Sequence, residues 1–175
     1  MLVSLGHGPH RVQRDVVDML LACHERIRAF TGLARRLASA TDTSEADVRD
    51  VAATIGRYFR EGLPLHVLDE EELIVPRLVG RDAALDAALA TMASEHASHA
   101  PACERLIAVC DALAQRPEQL AARATELAEV GAILDADFTA HLAAEERLVF
   151  PALAALPEPE RAAIAAAMQA RRQPR

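Results

Sequence analysis

Six side chains form a set whose types and spacing suit metal chemistry: His24, His66, Glu70, His96, His141 and Glu145. The strongest signal is a repeat. The run His66-Val67-Leu68-Asp69-Glu70-Glu71-Glu72-Leu73-Ile74-Val75-Pro76 aligns with His141-Leu142-Ala143-Ala144-Glu145-Glu146-Arg147-Leu148-Val149-Phe150-Pro151, 75 residues later. Both read His-x-x-x-Glu-Glu-x, three apolar residues, then Pro. A histidine and a glutamate four residues apart on a helix differ by about 40° in direction and about 6 Å in height, so they share a face. Two such faces opposed, with one imidazole from each of two further helices, present four ring nitrogens and two carboxylates to one volume. This mixed N/O set suits iron, manganese or zinc rather than calcium or magnesium. Each carboxylate can bridge two metals while the histidines cap the ends. Two six-coordinate metals held this way and sharing an oxo or hydroxo bridge keep open positions, which a small diatomic ligand requires.

The elements that must position these residues read as long helices. Alanine, the best helix former, occurs 38 times and glycine only 7 times, so an all-α fold is expected. Loop signals divide the chain into helical blocks of about 11–39, 44–75, 82–115 and 118–150, with a short Ala-rich tail helix over about 158–172. Gly62-Leu63-Pro64 and Pro101 read as kinks inside helices rather than breaks. Short connections favour an up-down-up-down four-helix bundle over about 10–155, the chain forming a single domain over 1–175. The His-first, i+4 order separates this bundle from ferritin-like di-iron proteins, which use Glu-x-x-His. A weaker likeness between the segments ending in His24 and His96, 72 residues apart, makes the second half a degenerate copy of the first.

On these residues the chain resembles the hemerythrin-like (HHE cation-binding) family. The likeness rests on His24 in Leu20-Leu21-Ala22-Cys23-His24, on His66-x-x-x-Glu70, on His96 in Ser94-Glu95-His96, and on His141-x-x-x-Glu145. It implies a four-helix bundle around a non-haem di-iron centre with an oxo or hydroxo bridge. Glu70 and Glu145 would bridge, with His24 and His66 on one metal and His96 and His141 on the other. Two departures stand out. Oxygen-carrying members have two histidines one turn apart on the third helix; here His96 and His99 are three apart, which makes His99 a candidate fifth ligand or an outer residue. Carriers also place the second carboxylate five positions after its histidine, which here would be Glu146. Glu145 is preferred because it keeps the i+4 geometry of the first half.

Other features read more plainly. Asp69, Glu71 and Glu72 read as a solvated acidic face. Cys23 reads as a small buried hydrophobe with a redox-sensing thiol as the alternative, and Cys103 and Cys110 as packing residues. His7 and His10 read as an exposed tail. Leu20, Ile27, Phe59 and Met92 share the ligand stripes and read as core that would keep the site dry. With 26 acidic against 19 basic residues and a net charge of −7, no nucleic-acid partner is expected. The absence of lysine excludes Schiff-base and P-loop chemistry. No stretch reads as a membrane span or signal peptide, and three cysteines without a CxxC suit the cytoplasm. No appended signalling domain is expected, and the protein partner is open.

The resemblance thus implies a protein that binds or senses O2, nitric oxide or iron at two iron ions, with zinc or manganese as substitutes. A di-iron enzyme acting on peroxide or nitric oxide is the second reading. A metal-free helical interaction module is the third.

Overall fold

The computed structural model describes residues 15–173, and among them there are helices and no strand. His7 and His10 lie outside the described residues. Five helices follow one another: α1 (Val16–Ala38), α2 (45–78), α3 (Ala83–Gln115), α4 (Leu120–Ala154) and α5 (Glu158–Arg171). Their starts follow from side chains that satisfy free backbone N–H groups. Asp15 accepts from Val17 N at 3.0 Å, Ser44 from Asp47 N at 3.1 Å, and Asp82 from Ala84 and Leu85 N at 2.9 and 3.1 Å. Gly80, with φ +81°, makes the turn from α2 to α3 in a backbone region that favours glycine.

The second helix passes through both of its prolines. Its α-helical stretches Glu45–Arg57, Leu63–Asp69 and Val75–Leu78 are joined by wide π-turns at Tyr58–Gly62 and Glu70–Ile74. Leu63 N–H bonds back to Tyr58 O and Val75 N–H to Glu70 O, each closing a wider ring than an α-turn. Gly62 is needed in the first turn: a Cβ there would stand 2.8 Å from the Tyr58 ring, which stacks on Phe30 at 4.1 Å. The expected kink at Gly62-Leu63-Pro64 is therefore a π-turn within a continuous helix. Pro101 and Pro151 sit inside α3 and α4 without one.

The four long helices form a bundle in which α1 packs on α4, α4 on α3, and α3 on α2. Its core is split into two apolar clusters. One contains Ile27, Ile55, Phe59, Leu106, Leu134 and Phe138; the other contains Leu20, Ile74, Met92, Val149, Phe150 and Met168. Leu20, Ile27, Phe59 and Met92 are core, as their place in the helical stripes implies. Between the two clusters lies a layer of histidines and glutamates. The tail helix α5 closes the second cluster with Ile164, Ala165 and Met168.

Candidate metal centre

Each long helix brings its polar residues to the same level because an apolar residue one or two turns away on the same stripe is anchored in core. His24 lies between Leu20 and Ile27, His66 after Leu63, His96 after Met92, and His141 after Phe138. The result is two overlapping groups. His24, His66, Glu70 and Glu145 can each place a ligand atom within 4.8 Å of the others, and so can Glu70, His96, His141 and Glu145. The six residues singled out in the sequence are thus brought together, with Glu70 and Glu145 common to both groups.

Within the cluster the Nε2 atoms face the carboxylates. Glu70 lies 3.2 Å from the Nε2 of both His66 and His96, and Glu145 lies 3.1 and 2.8 Å from those of His24 and His141. These approaches lack hydrogen-bond alignment. His24, His66 and His96 Nε2, Glu70 Oε2 and both oxygens of Glu145 are buried without a hydrogen-bond partner. Buried polar atoms are normally satisfied, so a cluster of orphaned lone pairs pointing at one another fits an absent cation.

The charges agree with that fit. Burial, followed by the neighbouring Glu145 carboxylate, raises Glu70 well above the usual carboxyl range. Burial also works against the charge of Glu145, but His141 and His24 outweigh it and hold that carboxyl low. Burial and then His24 push His66 down to about 3, leaving a neutral ring with one free nitrogen lone pair. A cation in such a site competes with protons on the buried carboxyls.

A second ring of carboxylates orients the imidazoles. His24 Nδ1 meets Glu146 at 2.8 Å, His96 Nδ1 meets Glu71 at 3.0 Å, and His141 Nδ1 meets Glu95 at 2.7 Å. Arg28 in turn donates to Glu146 at 2.7 Å. An Nδ1–H donated to a carboxylate leaves the Nε2 lone pair for a metal. Glu146 therefore stands outside the cluster rather than in it. Reading Asp69, Glu71 and Glu72 as a solvated face is overturned for Asp69, which is wholly buried against Arg171 and Arg172 at 3.3 and 2.7 Å; Glu71 also orients His96. Glu71 and Glu72, the latter paired with Arg171, keep exposed side chains. Glu95 carried no repeat signal; its place directly before His96 was the one hint.

His99 belongs to neither four-residue group. It is 7 % exposed, its ring lies edge-on to His141 and Phe138 at 5.1 and 5.0 Å, and its Nδ1 has no hydrogen-bond partner. Two hollows reach the centre. A smaller one, about 230 Å³, borders Met92, Glu95, His141 and Glu145. A larger one, about 510 Å³, borders His66, His96, His99 and His141.

A helical bundle with a buried histidine–carboxylate cluster of this kind defines a cation-binding class of protein. The chain belongs to the hemerythrin family: the model of the hemerythrin HHE cation-binding domain matches residues 15–130. His24, His66, Glu70 and His96 fall inside that match, and His141 and Glu145 lie beyond it. No curated protein matches the chain. No helix among the described residues is long and apolar enough to cross a membrane.

Proposed function

We propose that the protein holds two iron ions and binds or senses a small diatomic molecule, O2 or nitric oxide, at them. The observation that carries this reading is the pair of four-residue groups sharing Glu70 and Glu145, each with two neutral-capable imidazoles and most of its ligand atoms unpartnered. His24 and His66 would hold one ion, His96 and His141 the other, with both glutamates common to the two. Iron in such an N/O set supplies one-electron redox chemistry next to positions that protein ligands leave free.

The chain's own part is to orient and to exclude water. Glu146, Glu71 and Glu95 fix three of the rings through Nδ1, and the two apolar clusters seal the layer from above and below. Four short-linked long helices, taken as running up, down, up and down, support the pseudo-two-fold arrangement that the sequence repeat implies. Three unbonded, buried cysteines suit a reducing cytoplasm.

The test is metal analysis of protein purified without a His-tag, with absorption spectra before and after exposure to air. About two irons per chain, with bands that appear in air and reverse when oxygen is removed, are expected. Irreversible oxidation with consumption of peroxide would favour the enzyme reading. No iron, and none taken up anaerobically from a ferrous salt, would overturn both.

A further inference from the structure

The larger hollow is built for something bigger than a diatomic gas. Its volume is about 510 Å³, within the range of pockets that hold small organic molecules. At the share of volume a liquid water occupies, it would take on the order of 15 waters. Its walls are apolar: Ile27, Phe59, Leu63, Val67, Ile107 and Phe138 line it. Waters held there would find few partners, so the walls favour an apolar occupant. A charged occupant is disfavoured. Glu104 lines the cavity at an exposed position, and the guanidinium of Arg60 is already engaged by Asp111 at 2.7 Å.

The floor is different, being made of four imidazoles. Three of them, His66, His96 and His141, belong to the metal cluster. The fourth, His99, lines the cavity and has an orphaned ring nitrogen. Its neighbours are the Phe138 ring, which offers no acceptor, and His141, whose nitrogens already face Glu95 and Glu145. Nδ1 is sealed from the cavity as well, so the ring nitrogen an occupant can reach is Nε2, for which the described residues supply no hydrogen bond. Cys103, also on the wall, is a thiol that burial pushes up to about 12, which disfavours its reactive thiolate form.

We propose that this cavity binds an uncharged, largely apolar organic molecule of roughly ten to twenty non-hydrogen atoms, with one hydrogen-bonding group seated at His99. Such a ligand would lie against the imidazoles of the cluster, as a substrate or effector beside the centre. The inference goes beyond the diatomic reading and does not require it.

The test uses the neutral dye N-phenyl-1-naphthylamine, whose emission rises on leaving water, titrated into the purified protein while metal content is measured in parallel. Saturable binding of one dye per chain is expected. Ala100→Trp, at an exposed position on the cavity wall, is expected to weaken it tenfold or more without altering the melting curve. In displacement, 2-naphthol is expected to act at roughly three- to tenfold lower concentration than naphthalene, the range of one hydrogen bond. His99→Leu is expected to erase that difference and leave metal content unchanged. No saturable binding, or binding that Ala100→Trp leaves intact, would overturn the site. Equal displacement by the two competitors would overturn the role of His99. Dye binding by a protein that takes up no iron would sink the metal reading and leave this one standing; iron without dye binding would do the reverse.

Discussion

Three of the four imidazoles at the centre of the bundle are held at Nδ1 by a carboxylate from the outer ring, and those outer carboxylates differ in origin. Glu71 and Glu146 follow the inner glutamates directly, so the Glu-Glu doublet of each repeat supplies one inner and one outer group. Glu95 comes instead from the residue before His96 and reaches across to His141 on α4. Its side chain is partly exposed, so a neutral amide in its place leaves no buried charge behind. Glu95→Gln should keep the fold and weaken metal binding by about 10- to 100-fold, the usual cost of losing a carboxylate behind a metal-bound histidine. Competition against a chelator of known affinity measures this. Affinity equal to wild type would mean that Glu95 does not set the orientation of His141.

At the scale of elements, α5 is more than a cover. Its C-terminal end sends Arg171 and Arg172 to Asp69, the buried neighbour of Glu70, and its first turn sends Arg161 to Asp15 at the start of α1 at 3.1 Å. Asp69 has no access to solvent and would be a costly lone charge without these partners. Removing both guanidiniums in Arg171→Ala/Arg172→Ala should destabilise the protein by roughly 3 kcal/mol, the low end for a broken buried pair because both arginines are partly exposed. Urea unfolding with the wild type in parallel reads this. A change below about 0.5 kcal/mol, the range of an ordinary surface substitution, would show that Asp69 finds other partners. The π-turn at Glu70–Ile74 in α2 has no counterpart before Pro151. The two halves are thus repeats in sequence and not in backbone.

For the molecule as a whole, the polar layer divides the core that would otherwise run the length of the bundle. Folding without metal leaves ligand atoms of five of the six residues buried and unpartnered, each at the cost of lost hydration. Metal that binds only the folded chain offsets this. At a free metal concentration of about 100 times Kd the gain is about 2.7 kcal/mol. For a chain of this length that corresponds to a rise in Tm of roughly 5–10 °C. Melting the iron-loaded protein with and without a strong chelator should show that loss, restored by excess ferrous iron under anaerobic conditions. A chelator-independent Tm would mean that the layer is stable without a cation.

The helices, their order, and the six residues that meet at the centre were legible in the sequence, because helical periodicity and i, i+4 geometry are local and the repeat marks equivalent positions. The helical run through Gly62-Leu63-Pro64 was legible for the same reason. What required the tertiary structure was everything decided by contacts between distant segments. The sequence cannot state that Asp69 is buried, since an acidic run next to a ligand looks like a solvated face until Arg171, 102 residues away, covers it. Nor can it separate His99 from His96, three residues apart on one helix, because only the packing of α4 decides which ring meets Glu70 and which faces Phe138 and the cavity. Burial and partner choice are sums over neighbours from several helices, and no spacing along one helix contains them.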